Sequence, residues 1–234
     1  MDANNRAIFS KDMKLIELID ADYQLLSVLM RLDIQLPFGD ISVEEICRRY
    51  SMPVSTFLQL CEVCSSFGYE SDIESVGVDN VKLLLRYLRS SHCYYLESLL
   101  PSIELGVESV LKGCSPRQSE ILRKFYNDYA EEVRQHLAYE ESQLFPYVES
   151  LCGDDATPRE LRDFMAEHAD ICDKVDDIKS IVIKYLPEEC PTKERCELLE
   201  KLFRMRDDLA KHTLVEMKML APMVQNLERR LRHE

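Results

Sequence analysis

Apolar residues recur at helical spacing through most of the chain, interrupted at a few points by glycine and proline. From residue 9 to about 34 they fall at Leu15, Ile16, Leu18, Ile19, Leu25, Leu26 and Leu29, and Leu36-Pro37-Phe38-Gly39-Asp40 then breaks the run. Ser42 is placed to cap a short helix over 43–50, with Glu45 as its capping-box partner, and Pro53 sits where a further helix, to about residue 67, begins. The polar stretch 68–80, which contains Gly77, marks a boundary.

Four long helical segments follow. The first covers about 78–112 and stops at Gly113-Cys114-Ser115-Pro116, where glycine ends one helix and Ser115, Pro116 and Gln118 open the next as cap, first position and capping-box partner. The second ends near residue 151, and after a turn Thr157-Pro158-Arg159-Glu160 repeats the capping-box chemistry ahead of a third helix to about 186. A proline-bounded link, 187–191, leads into a last helix over about 192–231. Short links between long helices make antiparallel neighbours. The pattern therefore predicts an all-α protein: an up-down-up-down four-helix bundle over residues 78–234, preceded by a small helical N-terminal domain over 1–77.

Composition agrees with this and narrows the partners. The 234 residues are 46% hydrophobic and 31% charged, with no tryptophan and six glycines, which suits helices better than sheets. The formal net charge of −14 repels phosphate backbones and anionic lipid, so neither nucleic acid nor a membrane is an expected partner, and cation uptake is compatible with it. Residues 41–64 have the rhythm of a helix-turn-helix, but residues 1–80 carry 14 acidic against 6 basic side chains, and only Arg48 and Arg49 cluster. No stretch stays apolar long enough to span a bilayer and the N-terminus has no apolar leader, so the chain reads as cytoplasmic. Nine cysteines, odd in number and irregular in spacing, read as reduced, mostly buried thiols, and the lone Cys61-x-x-Cys64 pair reads as core packing.

The chemistry lies in a repeat. Displacing the chain by 76 residues sets His136 on His212, Glu140 on Glu216, Leu144 on Leu220, Pro146 on Pro222, Val148 on Val224 and Leu151 on Leu227. The same offset carries His92 onto His168 and Glu132 onto Asp208, as a duplicated helical hairpin would. His92 and His136 are equidistant from the 113–115 turn, His168 and His212 from Cys190, and His136 and His168 from the 152–153 turn, so four histidines share one cross-section of the bundle. In the second and fourth helices a glutamate follows its histidine by four residues, on the same face one turn on. Four imidazoles and two carboxylates make a nitrogen and oxygen donor set for iron or manganese, better than for a closed structural zinc site. The candidate ligands are His92, His136, Glu140, His168, His212 and Glu216. Glu132 and Asp208, one turn before His136 and His212, are candidate hydrogen-bond partners of the ligands, as are the adjoining Glu167 and Tyr139.

On these motifs, His, His-x-x-x-Glu, His, His-x-x-x-Glu behind a small helical domain, the chain resembles the hemerythrin-like (HHE) cation-binding family, and within it the iron-sulfur cluster repair di-iron proteins. Respiratory hemerythrins carry a second histidine on the third helix and an aspartate five residues after the last histidine, where this chain has Cys172 and Met217. The resemblance implies two non-haem iron ions, oxo-bridged and bridged by both glutamates, with His92 and His136 on one iron and His168 and His212 on the other. It further implies open positions for oxygen or nitric oxide, a nitric oxide reductase-like activity among the chemistries open to it, and a role in restoring damaged iron-sulfur proteins under nitrosative or oxidative stress. The alternative is a di-iron sensor of oxygen or nitric oxide that signals through its N-terminal domain; a homodimer is compatible with either. The repair proteins' N-terminal domain usually has two adjacent cysteines followed by glycines. The corresponding stretch here, Asp33-Ile34-Gln35-Leu36-Pro37-Phe38-Gly39-Asp40, has no thiol, which leaves that domain the role of docking a partner or the bundle.

Overall fold

The computed structural model describes residues 9–65, 78–153 and 168–231, and for residues 78 and 168–170 the backbone alone. Most of the expected boundary at 68–80, and the capping box Thr157-Pro158-Arg159-Glu160, lie outside the described residues. Among the described residues every regular element is helical, and the one β-bridge, Lys14 with Ser42, is isolated. The chain divides into two compact units, one of residues 1–90, 148–158 and 214–234, the other of residues 91–147 and 159–213.

The first unit contains α1 (Leu15–Ala21), a 3-10 turn (Tyr23–Leu25), α2 (Leu26–Arg31), α3 (Val43–Arg49) and α4 (Val54–Cys64). The single helix expected over 9–34 is broken at Asp22. Its backbone is extended and its carboxylate accepts a hydrogen bond from the Gln24 N–H at 2.9 Å, an Asx-type contact that competes with helix continuation. α3 starts as its sequence dictates: Ser42 Oγ accepts from the Glu45 N–H at 3.2 Å, and the Glu45 carboxylate accepts from the Ser42 N–H at 2.8 Å. Cys61 and Cys64 pack in the core with Cys47. Burial pushes the Cys47 thiol up to about 12 and Cys61 well above its ordinary value, so these sulfurs behave as small apolar side chains. Buried Arg31 donates to the Tyr87 hydroxyl at 2.9 Å, and Cys64 Sγ lies 3.3 Å from the same oxygen.

Among the described residues the helices that follow are α5 (Val78–Tyr94), α6 (Leu100–Leu111), α7 (Pro116–Tyr139), α8 (Phe145–Ser150), α9 (His168–Lys184), α10 (Thr192–Val215) and α11 (Ala221–Leu231). The second unit is built on one apolar core, to which four helical segments contribute stripes at helical spacing: Ile103, Val107 and Val110; Leu122, Tyr126 and Val133; Val175, Ile178 and Val182; Leu198, Leu202 and Met205. α7 packs against both α6 and α9, as antiparallel neighbours do. The Ser115, Pro116, Gln118 start of α7 is formed as expected, with the Gln118 carboxamide accepting from the Ser115 N–H at 3.0 Å.

Among the described residues, three π-helical turns interrupt the long helices, at Tyr95–Leu99, Glu140–Leu144 and Glu216–Leu220. Each is closed by a hydrogen bond reaching five residues back: Leu100 N–H to Tyr95 O, Phe145 N–H to Glu140 O and Ala221 N–H to Glu216 O. The cause is local. Pro101, Pro146 and Pro222 each stand two residues beyond a π turn, and a proline ring inside a helix has no N–H to donate and crowds the carbonyl four residues back. One widened turn ahead of the ring relieves that crowding while keeping the helix continuous.

Candidate metal centre

The C-terminal ends of α5, α7 and α10, with the π turn that follows α7, bring His92, His136, Glu140 and His212 together. Glu140 is at the centre and fully buried. Its Oε1 lies 2.8 Å from Nε2 of His136, one turn earlier on the same helix, while its Oε2 lies 3.0 Å from Nε2 of His92 and 3.7 Å from Nε2 of His212. The two latter nitrogens are 3.4 Å apart. His92 and His212 are also buried, and His136 nearly so.

Other side chains fix the rings. Nδ1 of His92 is 2.8 Å from the Glu141 carboxylate, an acceptor that calls for an Nδ1–H and, in the neutral ring, puts the lone pair on Nε2 at the inner side. Phe145 stacks on His92 with ring centroids 5.2 Å apart, and Tyr95 meets His212 edge-on at 5.7 Å. The Tyr95 hydroxyl donates to the Asp208 carbonyl at 3.3 Å, tying α10 to the first π turn.

With that tautomer, the His92 lone pair, the His212 Nε2 and the Glu140 Oε2 converge, and a cation among them is what makes the approach attractive. Their spacing fits a metal ion. Donors held about 2.0–2.2 Å from an ion stand roughly 2.8–3.6 Å apart along the edges of an octahedron or tetrahedron. One donor atom each from His92, Glu140 and His212 lies within 4.8 Å of the others. Imidazole and carboxylate suit iron or another borderline divalent ion.

The model of the hemerythrin HHE cation-binding domain matches residues 85–224. The chain belongs to the hemerythrin family. This hemerythrin domain spans most of α5 through the start of α11 and so contains every candidate ligand. No curated protein matches the sequence.

Within the hemerythrin fold the expected residues are placed unequally. His92 and His212 converge on one oxygen of Glu140, and His136 meets the other. Glu216 opens its own π turn, buried, in the other compact unit. His168 begins the described part of α9, with its side chain outside the described residues, and Glu167 lies outside them altogether. Glu132, offered as a partner for an imidazole, pairs with Lys174 of α9. Tyr139 is about half exposed, 49%, and Asp208 contributes its carbonyl to Tyr95.

Three residues at this site escape sequence reasoning: Glu141, Phe145 and Tyr95. The signal that could have found Glu141 is Pro146. A regular helix turns about 100° between Glu140 and Glu141, whereas the widened turn lets both carboxylates meet imidazoles, one His136 and His92, the other His92 from its outer side.

Proposed function

We propose that the chain is a non-haem di-iron protein, with His92, His136, Glu140, His168, His212 and Glu216 as ligands, that repairs iron-sulfur clusters or handles iron and nitric oxide or oxygen under stress. The observation that carries the metal reading is Glu140, a fully buried carboxylate with an imidazole nitrogen on each oxygen. Such a group is costly in a dry core unless cations or hydrogen-bond donors satisfy its oxygens, and a carboxylate facing imidazoles on two sides would, with them, hold a cation. The repair role rests on the resemblance of the six-ligand order to the cluster repair branch and on the family's cation-binding character.

Iron bound there supplies redox chemistry and coordination positions open to diatomic ligands. The protein's own residues do the rest. Glu141 orients His92 and sets its tautomer, Phe145 and Tyr95 hold the two rings and exclude water, and the buried carboxylates neutralise the ions. Repair requires that iron be released or accepted as well as held, and the acidic chain favours cation approach.

The test is elemental analysis and the visible spectrum of protein from iron-supplemented cells, beside Glu140→Gln, followed by transfer of iron to an apo cluster protein and by nitric oxide consumption. About two irons per chain with oxo-bridge absorption, lost in the variant, are expected. A wild type that binds no iron defeats the proposal, and two bound irons without transfer or nitric oxide turnover defeat the repair reading alone.

A further inference from the structure

Two cysteines far apart in sequence meet at the ends of the hairpins. Cys114 lies in the link between α6 and α7, Cys190 in the link between α9 and α10, and their sulfurs are 3.0 Å apart. Their separation of 76 residues equals the offset of the histidine and glutamate repeat, so the two thiols occupy equivalent positions in the duplicated hairpins. The backbone enforces the contact. A Cβ on Gly113 would stand 2.7 Å from Cys190 Cα and 2.9 Å from the Glu189 carbonyl oxygen, so only glycine lets the links come this close. The Cys190 link is held in place by Arg195, which donates to the Cys190 carbonyl at 3.1 Å and also to the Pro187 carbonyl. Cys190 is fully buried, whereas Cys114 is partly open to solvent.

We propose that Cys114 and Cys190 form an oxidant-responsive dithiol site, at which a peroxide oxidises Cys114 and Cys190 resolves it into a disulfide joining the two hairpins. The deprotonated Cys114 sulfur attacks one peroxide oxygen, the O–O bond breaks, and a sulfenic acid and the first water result. The Cys190 sulfur then displaces the hydroxyl group, forming the S–S bond and releasing the second water. The two thiols together lose two electrons and two protons, which the peroxide takes up. Exchange with a reducing dithiol restores the pair.

Burial and the neighbouring Cys190 sulfur push the Cys114 thiol up to about 12, against the opposing pull of Arg195. The reaction is therefore slow at neutral pH and faster as pH rises, which suits a response to sustained oxidant rather than rapid peroxide turnover. The disulfide would close a long loop and brace the end of the bundle roughly 33 Å along the helices from the histidine layer, without using a metal ligand. The inference does not depend on the iron reading.

Full-length protein, reduced, desalted and titrated with hydrogen peroxide at mildly alkaline pH, tests this by non-reducing peptide mapping, free-thiol counting and thermal melting. The expected result is a Cys114–Cys190 cross-linked peptide, loss of two thiols per chain and a Tm raised by roughly 5–15 °C, all reversed by dithiothreitol. Cys114→Ser, at the more exposed position, should keep the helical signal and reduced-state Tm of the wild type while giving neither cross-link nor oxidant-dependent shift. Oxidation confined to the exposed Cys93 and Cys196, with Cys114 and Cys190 recovered unlinked, would overturn the proposal. So would the same Tm shift in Cys114→Ser.

Discussion

The His92 ring shows how single side chains set the chemistry of this centre. It is gripped on its outer nitrogen by Glu141 at 2.8 Å and on its face by Phe145, so its inner nitrogen has one direction in which to point. Glu141 is itself partly exposed, 38% at the side chain, and makes no direct claim on a metal. Removing it should leave the donor atoms in place but free the ring to change tautomer and tilt. Glu141→Ala is therefore expected to lower metal affinity by roughly 10–100-fold while still filling at high metal concentration. Competition with a chelator of known affinity measures this, and an unchanged affinity would mean that packing against Phe145 orients His92 alone.

At the scale of elements, the π turns link proline positions to ligand positions. Glu140 and Glu216 are each the first residue of such a turn, and the prolines six residues later are the local reason for it. Pro146→Ala restores an N–H and removes the ring, so the helix can close with regular bonds to the fourth residue back. Helix propensity should then rise while the side chains at Glu140 and Glu141 rotate out of register with His92. The expected outcome is a metal-free protein at least as stable as wild type but with metal affinity lowered about tenfold or more. Melting of the metal-free form and metal titration separate the two effects. A variant with unaltered affinity would show that tertiary packing, and not proline, maintains the wide turn.

For the whole molecule, metal binding and folding are linked. Ligands drawn from α5, α7 and α10 are brought together only in the folded chain, so an ion that binds them stabilises the native state in proportion to the logarithm of its excess over Kd. Chelation should lower Tm by several degrees, most at the highest prior metal loading, and metal-free Glu140→Gln should lack this response. Scanning calorimetry with and without chelator checks it. Stability of the metal-free protein should also fall in acid. Arg123 beside Glu108, Arg89 beside Glu149 and Lys179 beside Asp176 hold these carboxyls below their ordinary range. A carboxyl depressed in the folded state contributes stability above its unfolded pKa, about 4, and loses it as pH falls through the lower folded value. All three are partly exposed, so each effect is small and screened by salt. An acid slope unchanged in Glu108→Gln/Glu149→Gln/Asp176→Asn would assign acid lability to other groups.

Much of this was legible in the chain because it is local. The helical spacing, the Ser42 and Ser115 caps, the links and the four-residue step from histidine to glutamate are properties of neighbouring residues, and the 76-residue repeat places equal heights in equal hairpins. What the tertiary structure alone decided are contacts between distant segments. Which imidazole faces which oxygen of Glu140, the turn of Glu132 toward Lys174, and the meeting of Cys114 with Cys190 all depend on how helices cross and where a wide turn shifts their register. No periodicity encodes those quantities, because they are set by the packing of whole faces against one another.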